Sequence, residues 1–388
     1  MKKPTKATRN LLISVAVMLV FMIIMLILRT NSSVCEFICS RLVNAYQAVF
    51  GRVFSLVGFN VFELFAALAV LAVLSCVISS IVLFCKKKRV ASRRVMLSLL
   101  LSAVCVANIY VFAAGFAYNR DSAPVEEYAG EIDVELTTKV YLALLSEYNG
   151  LYENFDKNDD KTVICPYTEA ELMDNIRAAV DSVLTDGFYY SYTPKAKPVT
   201  CSEIMAQNRI SGITFLPTVE PGYNKDMTII EKCYTTAHEY AHSKGVMRED
   251  EANVVGAYAL LYSGDDFLKY CAYVNIIWDI PHFMPSIILE EDKETFSVNE
   301  GFFAEWKKIS AYWKDKNAFA KFGEFVNDLY LKFNGQEEGT GSYDEDPSTE
   351  IIDSGMTDEN GDPIFITVVV EYTKLDRMII GYYTSNLE

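Results

Sequence analysis

Two of the chain's three histidines stand four residues apart with a glutamate beside the first, in His238-Glu239-Tyr240-Ala241-His242. Positions i and i+4 share one face of an α-helix, so this HExxH spacing lets both imidazoles reach a single divalent ion. Glu239 then lies next to the metal, where a carboxylate takes a proton from water. A helix with two surface histidines would show the same spacing. A purely structural metal site, however, would have no need of an acid at 239. Imidazole and carboxylate donors suit Zn2+, the expected cofactor.

A catalytic zinc site takes a third protein ligand and leaves a fourth position open. The nearest candidates follow Gly245, in Arg248-Glu249-Asp250-Glu251-Ala252-Asn253. A turn at Gly245 folds the next helix back and brings its first turn to the metal. Glu249 and Asn253 share a helix face, which favours Glu249 as ligand and Asn253 as the group that orients a histidine through its second ring nitrogen. Glu251 points about 200° around the helix from Glu249 and is the alternative. Acids in a first helical turn are also favoured by the helix dipole, so without the histidines this cluster reads as structural. His282, beside Pro281, is a candidate for stabilising an oxyanion, although a lone histidine there is more often structural. Glu220 and Asn224 are candidates for shaping a cleft, with a turn between strands as the equal alternative.

These residues need helices and a few strands around them. Thr168-Glu169-Ala170-Glu171 and Thr228-Ile229-Ile230-Glu231 are capping boxes that open helices over 168–185 and up to Gly245. Helical spacing also marks 134–148, 248–262 and 267–278, and most of the chain from Pro285 to Phe333. Lys197–Cys201 and Ile210–Leu216 read as strands, with Pro217 and Pro221-Gly222 as turn residues. The Gly-, Asp-, Glu- and Ser-rich stretch 336–363 reads as a mobile loop. Ile364–Tyr372 reads as a strand and Leu375–Tyr383 as a closing helix.

Composition divides the chain. The first 118 residues hold nearly all the long apolar runs, 13 of the 35 Lys and Arg, and only Glu36 and Glu63 of the 51 acids. The remainder has 22 basic and 49 acidic side chains, a net of −27. Such a charge argues against nucleic acid, and against this part lying on an anionic lipid surface. Three runs, 11–28, 61–84 and 95–118, are about the ~20 residues that cross a membrane. The N-terminus and Lys86–Arg94 are basic, which places them in the cytoplasm and puts 119–388 outside a multi-pass cell-membrane protein. Residues 42–60 have helical apolar spacing and read as an interfacial amphipathic helix. A fourth span there would invert the topology, and Arg52 near its middle makes it costly. Cys165, Cys201, Cys233 and Cys271 form no CxxC pair; disulfides among them and buried free thiols are equal readings.

The run His238–Gly245 followed by Glu249–Asn253 resembles the core of an uncharacterised bacterial family with N-terminal transmembrane helices and an HExxH domain. Gly212–Glu220 with Asn224, and Leu331–Gly339, are similar to that family as well. More distantly, Glu249 with Asn253 resembles the ligand-plus-acid pair of gluzincin peptidases, with Asn253 where many have Asp and a short gap after His242. The resemblance implies an α+β chain: N-terminal transmembrane helices, then a mainly α-helical zincin-like domain with a small antiparallel sheet. It implies a zinc metallopeptidase acting on a peptide or protein substrate, with the strand near 210–216 pairing with an extended peptide. The competing expectation is a non-catalytic sensor or interaction domain that binds metal.

Overall fold

Hydropathy and helix caps account for most of the architecture. The computed structural model describes residues 5–285, 295–343, 347–357 and 363–385. Helix α1 (Lys6–Leu28) is followed by α2 (Ser32–Ile38), a π-turn, and α3 (Asn44–Ser55). Helices α4 (Val61–Cys85) and α5 (Arg89–Tyr110) come next, the latter extended by irregular turns to Asn119. Three of these, α1, α4 and extended α5, are long and apolar enough to cross a membrane, and they contain the three expected spans. Their apolar side chains are exposed, Leu71 and Ile78 among them, as suits a helix surrounded by lipid. The chain is therefore a membrane protein.

No fourth span lies between α1 and α4. At twelve residues α3 is about 18 Å long, too short to cross. It lies instead against the C-terminal part of the chain. Gln47 Nε2 donates to the carbonyls of Ser243 (2.6 Å) and Tyr192 (3.0 Å), and Tyr46 donates to that of Pro217 (2.6 Å). The division near residue 118 runs through a shared core, in which Cys35, Cys39, Val43 and Phe116 pack with Tyr190, Leu216 and Met247.

The larger part is mainly helical, and the helices begin where the caps dictate. They are α6 (Val134–Asn154), α7 (Glu169–Val183), α8 (Ser202–Gln207), α9 (Ile229–Ser243), α10 (Glu249–Leu261), α11 (Asp266–Asp279), α12 (Glu300–Trp313), α13 (Ala320–Phe333) and α14 (Lys374–Ser385). Both capping boxes form, on α7 and α9. The main core is built from Leu144, Tyr148, Ile176, Val255, Leu260 and Tyr273 with their neighbours.

The small sheet is mixed, where an antiparallel one was expected. Strand β3 (Glu220–Asn224) lies between β1 (Lys197–Val199), which runs parallel to it, and β2 (Gly212–Phe215), which runs antiparallel. Pro221-Gly222 thus sits in the central strand and not in a turn. A Cβ on Gly222 would meet Val199 Cγ2 at 3.0 Å, so only glycine lets the strands close there. The acidic stretch also differs from expectation. Residues Ser348–Thr357 form β4, antiparallel to β5 (Pro363–Glu371), while 344–346 and 358–362 of that stretch lie outside the described residues. All nine cysteines are free thiols, with Cys233 and Cys271 side by side in the core.

Candidate metal centre

The site is built by two consecutive helices and the turn between them. Gly245 has φ +97°, the left-handed conformation that ends α9 and reverses the chain into α10. The two helices then pack very closely at Gly256, where an added Cβ would come within 3.0 Å of the His238 backbone nitrogen. This close approach brings the first turn of α10 against the last turns of α9.

Three donors converge. Glu249 Oε2 lies 3.2 Å from His238 Nε2 and 3.3 Å from His242 Nε2. The other ring nitrogens are engaged: His238 Nδ1 with Asn253 Oδ1 at 2.8 Å, and His242 Nδ1 with the Val246 carbonyl at 2.8 Å. An amide oxygen and a carbonyl only accept, so each Nδ1 carries the proton. Nε2 of each imidazole therefore faces the shared carboxylate oxygen and is the nitrogen placed to bind an ion.

The donor set fits a divalent cation. Zinc bonds of about 2.0–2.1 Å in tetrahedral geometry place neighbouring donors about 3.3–3.4 Å apart. The two observed nitrogen–oxygen separations match that edge, and the ligating atoms of all three residues lie within 4.8 Å of one another.

The carboxylate and the imidazoles also shift one another. Burial works against the Glu249 charge, yet His242 and His238 outweigh it and bring its carboxyl down to about 2. Burial likewise disfavours the charged form of His242, and Glu249 outweighs it, raising the imidazole. Glu239 is buried as well, and burial raises its proton affinity. Its Oε2 accepts from the Thr214 hydroxyl at 2.6 Å, and the same hydroxyl reaches the Glu239 carbonyl at 2.9 Å. Gly212 makes room for this carboxylate, since a Cβ there would meet Glu239 Cγ at 2.7 Å.

The remaining candidates are held elsewhere. Glu251 accepts from Arg248 at 2.8 Å and from Ser122 and the Ala123 N–H, which ties down the segment after α5. Glu220 is buried against Lys197 and accepts from the N–H groups of Val61 and Phe62, so it caps α4. Asn224 bonds with the Tyr312 hydroxyl. His282 pairs through Nε2 with Asp376 at 2.9 Å, a contact between the segment after α11 and α14.

Sequence reasoning passed over Thr214, Gly212, Gly256 and Tyr330. Tyr330, on α13, is half-buried; desolvation raises its phenol, and the nearby Glu249 charge adds to the effect. Small residues in the β2 segment were the one available signal, since they let a strand approach a helix.

A cleft of about 330 Å³ lies along α9, lined by Arg209, Ser211, Tyr234, Thr235, Asn275 and Trp313. Glu231 also lines it, while His238, His242 and Glu249 are not among its lining residues.

Residues 40–348 match a family described as a protein of unknown function, DUF3810. The chain belongs to that family. The match takes in α4, α5 and every element of the site. No curated protein and no solved structure matches the chain.

Proposed function

We propose that this member of the family is a membrane-anchored zinc metallopeptidase whose larger part lies outside the cytoplasm. The observation that carries the reading is the convergence of two histidine Nε2 atoms on Glu249 beside the buried Glu239 carboxylate. His238, His242 and Glu249 would hold the ion. Bound there, zinc supplies Lewis acidity to a peptide carbonyl and to water.

The chain's own residues do the rest. Asn253 and the Val246 carbonyl fix the tautomer and orientation of the imidazoles. Glu239 takes a proton from the attacking water and passes it to the leaving amine, and the Thr214 hydroxyl holds the carboxylate in place. Strand β2 is at an edge of its sheet, which suits it to pair with an extended peptide. The basic residues of Lys86–Arg94 support a cytoplasmic α4–α5 turn and therefore an extracytoplasmic larger part.

The test is cleavage of a broad peptide library by the full chain in nanodiscs, compared with Glu239→Gln. The full chain is required because α2 and α3 complete a core shared with the larger part. Turnover by wild type, lost in the variant with metal retained, supports the peptidase. Bound metal with no turnover by wild type supports a metal-binding sensor or interaction domain.

A further inference from the structure

Helix α13 has three faces. Phe322, Phe325, Val326, Leu329 and Phe333 recur at i, i+3, i+4, i+7 and i+11 and form one exposed apolar stripe, with Phe322 68% and Leu329 60% exposed. A second sector packs on the protein: Leu331 and Asn334 are buried, and Gly323 abuts Asn208. A third sector carries Lys321, Glu324, Asp328 and Lys332. A helix lying on a water-soluble surface needs two faces, and a stripe this apolar is not left in water.

The attachments of α13 fix where it lies. At its C-terminal end, Arg29 at the end of α1 donates to the Phe333 carbonyl (2.7 Å), and Asn334 donates to Tyr110 at the end of α5 (2.7 Å). At its N-terminal end, the Phe319 N–H donates to Gln207 at the end of α8 (2.9 Å). The residues that lead into α8 are in turn held by α4: Glu63, in its first turn, accepts from the N–H groups of Thr200 and Cys201 at 2.8 Å. Both ends of a helix about 20 Å long are thus tied to the same ends of the membrane-crossing helices.

From this we infer that α13 lies in the membrane plane as an amphipathic helix, its phenylalanine stripe immersed among lipid acyl chains. The occupant of the stripe is the bilayer, because both ends of α13 are attached, directly or through α8, to the ends of α1, α5 and α4. The strong negative charge of the larger part makes this an apolar attachment and not one to anionic headgroups. The face of α13 opposite the lipid carries Leu331 into the protein, and Tyr330 beside it lies near Glu249. The candidate metal centre is thereby held close to the lipid boundary. The inference does not depend on the metal or on peptidase activity.

The test uses the full chain in phosphatidylcholine nanodiscs containing a phosphatidylcholine with a photoactivatable diazirine in its acyl chain, with labelled residues mapped by mass spectrometry. Phe303 on α12, exposed and, among the described residues, without a hydrogen bond from α12 to a membrane-crossing helix, is the reference. Labelling of the α13 stripe at least ~fivefold above Phe303, and unchanged when phosphatidylglycerol is added, is the expected result. Labelling equal to Phe303 would overturn the inference, whether the stripe then faces water or a second copy of the chain.

Discussion

Glu249 and Glu305 are both buried carboxylates, and their surroundings drive them apart. Glu249 faces two imidazoles that hold its carboxyl down at about 2. Glu305, on α12, receives the Val163 N–H at 2.8 Å, and burial pushes its carboxyl up to about 7. A third buried carboxylate, Asp376, has one imidazole, His282, and also accepts the Thr373 N–H at 2.9 Å. Asp376 and Glu305 are thus satisfied by ordinary structural partners. Among the described residues, Glu249 is where two imidazole nitrogens meet one carboxylate oxygen. A buried acid therefore points to chemistry through the convergence of its partners, not through burial itself.

The sharpest way to break the comparison is at Glu239. Replacing it with Gln keeps shape and removes the base, so peptide turnover should fall by roughly 10²–10⁴-fold while zinc stays bound, as read by steady-state kinetics and metal analysis. Next comes Glu249→Ala, for which zinc affinity measured by competition with a chelating dye should fall by more than about 100-fold, beyond the range typical of outer partners. Asn253→Ala should cost about 10–100-fold in the same assay. By contrast His282→Ala should leave zinc affinity unchanged and cost on the order of 1–3 kcal/mol of stability, because Asp376 loses a buried partner.

Glu305 yields the smallest and most pH-dependent effect. Its carboxyl binds a proton more tightly in the folded chain (about 7) than at the ordinary value of 4.5, so stability falls as pH rises through that window. Gln at 305 cannot ionise. Thermal unfolding should therefore show the Gln variant gaining on wild type between pH 4.5 and pH 8, by on the order of 2 kcal/mol. A constant gap across that range would mean that Glu305 stays ionised.

Much of this was legible in the sequence because the signals are local. The three apolar runs, the capping boxes at Thr168 and Thr228, and the reversal at Gly245 are each decided within a few residues. Helical geometry alone put His238 with His242, and Glu249 with Asn253, on shared faces. What escaped depends on distant partners. Strand β3 was hidden because Pro221 and Gly222 are poor strand formers, and β1 and β2 on either side hold them extended. Strand β4 was hidden by the acidic, Gly- and Ser-rich composition of its stretch, which outweighed the Ile351-Ile352 pair. Glu220 and His282 looked available because their partners, α4 and Asp376, lie far away in sequence.

The central claim is that His238, His242 and Glu249 together clasp a divalent ion. It is tested most directly by measuring zinc in the purified full chain by mass spectrometry, with X-ray absorption to read its neighbours. The account expects about one zinc per chain, with nitrogen and oxygen neighbours at about 2.0–2.2 Å. Wild-type protein that holds no zinc after equilibration with the free ion, or zinc coordinated by sulfur, would contradict it.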